Sequence, residues 1–270
     1  EINAEYLTSL PLETETEYDV KLFLDSRIVG GVDAPPGYGH YMAALVFGEV
    51  IPTLMCGGSI ITKRHVLTAA HCIEPLIIWD QLMPSFRAVI GSNKWQSTKN
   101  NIHFTKHINH PLWNWNTIKN DIGVLFLAQE VKLSDDVAII PLKTGWIDGG
   151  VKSLVTGWGR LGAHRPLPDK LQLLYVHTIT PQQCFDGIRK AAEGWFNVPP
   201  HDPEIEICTF HSFGHGMCNG DSGSALVDST THDQIGIVSW GFPCALGAPD
   251  MYVRVSSYIP WINKSIGEDL

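Results

Sequence analysis

What the sequence lacks narrows it first. No apolar run approaches the ~20 residues that a membrane-crossing helix needs, and no repeat or low-complexity tract interrupts the 270 residues. Charge is sparse at 17%, and basic charge is in deficit: 19 Lys and Arg against 28 Asp and Glu leave a formal net charge of −9. That balance argues against a nucleic-acid partner and against a basic patch for a membrane surface. The cysteines contain no Cys-x-x-Cys pair, so the common spacing of a structural zinc site is missing. Helical periodicity is scarce outside the C-terminal end. Nor does the sequence open on a secretory leader, since Glu1 begins a polar, acidic segment. The expectation is a chain that starts after processing, not a cytosolic one.

What remains is an apolar, turn-rich chain. Apolar residues make up 44% of the sequence, enough to bury a large core as one all-β domain or two smaller units. From Arg27 onward, short apolar runs such as Tyr41–Phe47, Arg87–Ile90, Ile122–Leu127, Ala138–Leu142, Leu171–Ile179 and Gln234–Val238 alternate with turn markers. Those markers include Pro35-Pro36-Gly37, Gly91-Ser92-Asn93 and Asp148-Gly149-Gly150. The spacing predicts an all-β sandwich or a pair of barrels, with a seam near Lys143–Gly150. One helix is predicted, at the end, where Ile259, Ile262 and Ile266 recur at helical spacing behind Ser256-Ser257 as a cap. The six cysteines (Cys56, Cys72, Cys184, Cys208, Cys218, Cys244) read as three disulfides of an oxidising compartment. Spacing alone does not choose their pairing. Residues 1–27 stand apart, with seven acids against Lys21 and Arg27, and read as an exposed extension.

The stretch Cys218-Asn219-Gly220-Asp221-Ser222-Gly223-Ser224 carries the first chemistry. A serine among glycines sits in a tight turn, and the glycines let backbone amides approach a bound substrate. One such amide, aimed at a developing oxyanion, is worth about 3–4 kcal/mol of barrier. A serine hydroxyl is a poor nucleophile unless a base and an orienting acid stand by it; without them the stretch is an ordinary glycine-rich loop. Thr68-Ala69-Ala70-His71-Cys72 offers the base, because imidazole titrates near neutrality. Most of the 12 histidines must nevertheless be bystanders. Asn120-Asp121-Ile122-Gly123 sets an acid at the mouth of an apolar strand, where burial demands a donor such as an imidazole N–H. In the order His71, Asp121, Ser222, these residues match a triad scattered through the sequence. His103, His107 and His110 lack nearby acids and read as exposed histidines of a loop, not as a metal site.

With Arg27-Ile28-Val29-Gly30-Gly31, Gly157-Trp158-Gly159 and Ser239-Trp240-Gly241, these motifs make residues 27–270 resemble a chymotrypsin-type serine endopeptidase. The resemblance implies an all-β fold of two antiparallel six-stranded β-barrels with a C-terminal helix, the active site lying between the barrels. It implies His71 as general base and acid, Asp121 as its orienting partner, Ser222 as nucleophile, and the amides of Gly220 and Ser222 as the oxyanion hole. It implies the pairing Cys56–Cys72, Cys184–Cys208 and Cys218–Cys244. It makes Ser239–Gly241 an edge that pairs with the substrate backbone. The division it implies is an activation propeptide at 1–27, an N-terminal barrel at 28–146, and a C-terminal barrel with the helix at 147–270.

By the same resemblance, Arg27–Ile28 is an activation bond for a trypsin-like protease. The Ile28 amine it frees, ordinarily of pKa about 7.7–8.0, would turn inward to pair with Asp221 and order the Gly220 loop. One departure is that family zymogens hold this acid with a histidine two residues before the Cys-Gly-Gly motif, whereas Leu54 and Met55 precede Cys56. The primary pocket is expected to comprise Gly216 as floor, Met217, Ser239, Trp240, Gly241 and Asp250. Glycine in place of a floor aspartate disfavours simple trypsin-like specificity. A glycine floor with an acid at Asp250 resembles the brachyurins, crustacean collagenolytic proteases, and implies large apolar residues with basic ones tolerated. The segment between Cys184 and Cys208, with Trp195, Phe196, Pro199 and Pro200, is longer than usual and is expected to shape outer subsites or cover a barrel edge. No cofactor is expected, and no calcium, since Arg87–Asn109 contains no acid. The expectation is a secreted, monomeric digestive proenzyme acting on polypeptide substrates, with protein inhibitors as further partners. Its alternatives are a regulatory protease limited to one partner and a homologue that binds without cutting.

Overall fold

The computed structural model describes residues 28–267 other than Phe196 and Pro243, so the expected propeptide, Arg27 included, lies outside the described residues. Strands form where aliphatic and β-branched residues run between turn residues. In chain order they begin with β1 (Val32–Asp33), β2 (Met42–Phe47), β3 (Thr53–Ile60) and β4 (His65–Thr68). A small ribbon follows, β5 (Ile77–Ile78) with β6 (Gln81–Leu82), then β7 (Arg87–Ile90), β8 (Asn101–Asn109) and β9 (Gly123–Leu127). Strands β2, β3, β4, β9, β8 and β7 close into one antiparallel barrel. The second barrel uses β10 (Lys152–Gly157), β11 (Gln172–Ile179), β12 (Glu206–Phe210), β13 (Ala225–Asp228), β14 (Gln234–Gly241) and β15 (Asp250–Arg254). Its order is β11-β10-β13-β14-β15-β12, and β12 returns to β11. Two closed six-stranded barrels are the architecture the resemblance implied, and closure leaves few free strand edges.

The two barrels are stitched to each other. Strand β1 pairs with β11, Val32 opposite Leu173, so the start of the described chain belongs to the far barrel. The main core fills the first barrel and runs on through Trp158, Leu171, Val227 and Val255 of the second. A separate core around Val155, Leu226, Ile235 and Tyr252 takes in Ile28, which is fully buried. Each buried aliphatic side chain of this size contributes about 1.5–3 kcal/mol, so the seam between barrels is stabilised as the interiors are.

Several local expectations are corrected. The run Ala138–Leu142 forms no strand; only Leu142 bridges to Gln234, and the segment serves as a crossing between barrels. Beyond the terminal helix there is a one-turn helix α1 (Ala70–Ile73) and an eleven-residue helix α2 (Pro181–Ala191). The start of α2 is written in Thr180-Pro181-Gln182-Gln183. Thr180 accepts from the Gln183 amide while the Gln183 side chain reaches back to the Thr180 amide, and proline fills the first turn. The terminal helix α3 (Ile259–Ile266) begins later than predicted, because Val255–Tyr258 winds as a 3-10 turn. Ser257 therefore does not cap α3, and its hydroxyl donates to the Glu204 carbonyl instead. His103 and His107 lie on β8, not in a loop.

Candidate active site

His71 is placed by its neighbours. Strand β4 ends at Thr68, the chain turns into α1, and the Cys56–Cys72 disulfide ties that turn to β3. Asp121, which is only 1% exposed just before β9, grips His71 twice. Its Oδ1 accepts from the His71 backbone N–H at 2.9 Å, and its Oδ2 accepts from the ring Nδ1–H at 2.7 Å. Burial works to lower the imidazole pKa, but the Asp121 charge and hydrogen bond outweigh it and hold the pKa above the ordinary 6.5. The Ser239 hydroxyl on β14 donates to the same Oδ2 at 2.6 Å. Sequence reading placed Ser239 in the pocket and on the substrate-pairing edge; nothing in its spacing signals a bond to Asp121.

The Ser222 loop is fastened to the strand end that leads into His71. The Gly57 N–H donates to the Ser222 carbonyl at 2.8 Å, and the Thr68 hydroxyl donates to the Gly57 carbonyl at 2.8 Å. Gly223 has φ +77°, and a Cβ there would lie 2.2 Å from Thr68 Oγ1, so only glycine fits. Among the described residues the Ser222 hydroxyl makes no hydrogen bond, and His71 Nε2 lies 3.8 Å from Cys72 Sγ. The amides of Gly220 and Ser222 likewise donate to no protein acceptor among the described residues, which leaves two donors flanking Asp221.

Asp221 is fully buried and accepts from the Gly159 and Cys218 amides at 2.8 and 3.1 Å. No cation pairs with it among the described residues, and burial pushes its pKa up to about 7 against the pull of those two amides. The Gly157-Trp158-Gly159 motif makes room for it: a Cβ on Gly159 would lie 2.3 Å from the Asp221 carboxylate.

A cavity of about 200 Å³ opens beside Ser222, lined by Met217, Trp240, Gly241, Phe242 and Asp250. Gly216 backs it, since a Cβ there would sit 2.7 Å from Asp250 Oδ2. Asp250, 7% exposed, accepts from the Met217 amide at 3.0 Å. Burial pushes its pKa up to about 7, the Met217 bond opposing and Asp221 adding to the rise. Of the pocket residues read from the sequence, Met217, Ser239, Trp240, Gly241 and Asp250 line the cavity, whereas Gly216, the expected floor, lies behind Asp250 and does not line it. A larger cavity, about 400 Å³ between Tyr41, Ile140, Leu154 and Tyr175, contains none of these groups.

Sequence reading missed Trp115, half-exposed with its ring 6.3 Å from that of His71. Trp195 packs edge-on to Phe242, so the long Cys184–Cys208 segment reaches the cavity rim; Phe196 lies outside the described residues. Leu54, at the position of the missing zymogen histidine, is buried in the core. The three disulfides pair as the resemblance implied. His71 and His201 each lie near two sulfurs, but those sulfurs are disulfide-bonded and so are not thiolate ligands for a metal.

Two barrels with an imidazole–carboxylate pair at their seam define a serine-protease type of scaffold, and comparison agrees. The family model described as Trypsin matches residues 28–262, and the chain belongs to the trypsin family. Chymotrypsin-2 of Vespa crabro is 33% identical over 241 residues, covering 88% of this chain and 99% of that protein. Trypsin I-P1 of Gallus gallus is 31% identical over 249 residues, 91% of each chain. Chymotrypsin-C of Bos taurus is 30% identical over 256 residues, 90% of each. These relatives support a serine endopeptidase.

Proposed function

We propose that the chain is a secreted proenzyme which, once cut between Arg27 and Ile28, hydrolyses polypeptides through an acyl-enzyme on Ser222. The observation that carries this reading is the doubly held His71–Asp121 pair, with the Ser222 loop bonded to the same strand end. His71 Nε2 takes the Ser222 proton as Oγ attacks the scissile carbonyl, and Asp121 stabilises the imidazolium. The Gly220 and Ser222 amides receive the oxyanion. His71 then protonates the leaving amine, and water, activated by the same imidazole, releases the acid and restores Ser222.

The 200 Å³ cavity suits a large apolar side chain before the scissile bond, with Asp250 admitting a basic one. Residues 1–27 are the activation segment, 28–146 and 147–270 the two halves, and an activating trypsin-like protease and protein inhibitors the partners of a monomer. Activation adds charge where charge is missing: in the uncut chain the Ile28 nitrogen is a neutral amide, whereas the freed amine is the cation that buried Asp221 lacks. That Ile28 is already buried in the second barrel's core supports a short inward path.

The test is hydrolysis of a peptide library before and after limited trypsin treatment. A burst of cleavage after the cut at Arg27, lowered about 10⁶-fold in kcat by Ser222→Ala, is expected. Silence after a clean cut overturns the reading in favour of a binding protein.

A further inference from the structure

Glu206, at the start of β12, is 4% exposed, a rare place for a carboxylate. Its Oε1 accepts from Lys119 Nζ at 2.8 Å and from the Trp240 indole N–H at 2.8 Å. Its Oε2 accepts from the Asp202 amide at 2.8 Å and faces His201 Nδ1 at 3.3 Å. Burial works to raise the Glu206 pKa, but His201, Lys119 and the Asp202 amide outweigh it and keep the group charged. The donors come from three separate places: the loop before Asp121, the strand β14, and the turn before β12.

The loop is built for placement. Asn114 and Lys119 bridge across it, and the Asn116 and Thr117 amides donate to the Asn114 side chain. Asn120 donates to the Leu112 carbonyl and accepts from the Tyr258 hydroxyl. Between these anchors stands Trp115, beside His71. On the other side, the Lys119 ammonium lies 5.3 Å from the Trp240 ring. Replacing a buried ion pair such as Glu206–Lys119 as a whole by apolar residues of similar volume is often neutral for folding, and the mechanism above does not use Glu206.

We infer that Glu206 is a positioning residue: its single carboxylate locks the Asp121 loop to Trp240, fixing the two aromatic walls against which an extended peptide lies on its way to Ser222. The inference rests on the proteolytic reading for its effect on substrates. A single-residue ester meets Trp240 only where it lines the cavity beside Ser222, whereas a tetrapeptide amide also lies along the rest of Trp240 and reaches the loop.

Hydrolysis of both substrates by the cut enzyme tests it, comparing wild type, Glu206→Gln, and Glu206→Gln with Lys119→Met. Glu206→Gln should raise KM for the tetrapeptide about 10- to 100-fold, as for a misplaced substrate, and leave kcat on the ester within about twofold. The double variant, which lacks the Lys119–Glu206 bond altogether, should keep the raised tetrapeptide KM; recovery there would show that Glu206→Gln acts only by stranding the ammonium, and would overturn the inference. Equal losses on both substrates, or none on either, overturn the inference. If the wild type cuts neither substrate, the proteolytic reading fails while Glu206 stays testable through the Trp240 indole N–H resonance. A clear shift of that resonance in Glu206→Gln upholds the lock, and an unmoved one refutes it.

Discussion

At the scale of single residues, two ionisations set how this site responds to pH. In the proposed mechanism His71 must be neutral to accept the Ser222 proton, and Asp121 holds its pKa above 6.5. The acid limb of kcat/KM is therefore expected to have its midpoint above 6.5, loss of activity growing as pH falls through it. Asp121→Asn should lower kcat about 10⁴-fold and move that midpoint downward, which a pH–rate profile on a small ester reads directly. Asp250 titrates in the opposite sense: below its pKa of about 7 it is neutral, above it an anion. The ratio of Arg to Phe cleavage should rise as pH rises through about 7, and Asp250→Asn should flatten that rise. A ratio independent of pH in the wild type would remove Asp250 from the specificity determinants.

At the scale of elements, the close approaches explain why certain motifs are glycine. Gly159→Ala drives a Cβ into the Asp221 carboxylate, so it should destabilise the fold by about 1–3 kcal/mol, seen as a lower urea midpoint. Thr180→Ala removes one half of the capping box of α2 and should cost about 1 kcal/mol in the same assay. The strands were legible because alternation and turn residues act locally, so Arg87–Ile90 and Gln172–Ile179 emerge within a residue of their observed bounds. The helix α2 was legible in principle through Thr180-Pro181-Gln182-Gln183, and its buried face rests on just two residues, Cys184 and Ile188, one turn apart, which is too few to stand out as a periodic apolar run. Ala138–Leu142 looked like a strand because it is apolar, yet of this run only Ile140 is buried, Ile139 is exposed, and only Leu142 bridges, to Gln234. Long-range bonds such as Ser239 to Asp121 and Glu206 to Trp240 have no local signature, since barrel closure alone brings residues so distant in sequence together.

At the scale of the whole molecule, two of the buried carboxyls, Asp221 and Asp250, have their pKa raised from 3.8 to about 7. A raised acid favours folding below its unfolded pKa, and that contribution is lost as pH climbs through the folded value. The urea midpoint of the uncut protein should thus fall between about pH 4 and about pH 7. If, as proposed, the cut at Arg27 frees an Ile28 amine that pairs with Asp221, the fall should shrink in the cut form; an identical fall in both forms would show that no such pair forms. The stitching of the barrels has a separate consequence. Because β1 belongs to the far barrel and α3 packs back on the first barrel's β9, neither half carries all of its own contacts. A chimera that joins residues 28–146 to another relative's second half would inherit a foreign β1 partner and a foreign terminal clasp. Recombination between such relatives is therefore tolerated where β1 and α3 travel with the barrels they hold, and the natural units of exchange are not the two halves of the chain.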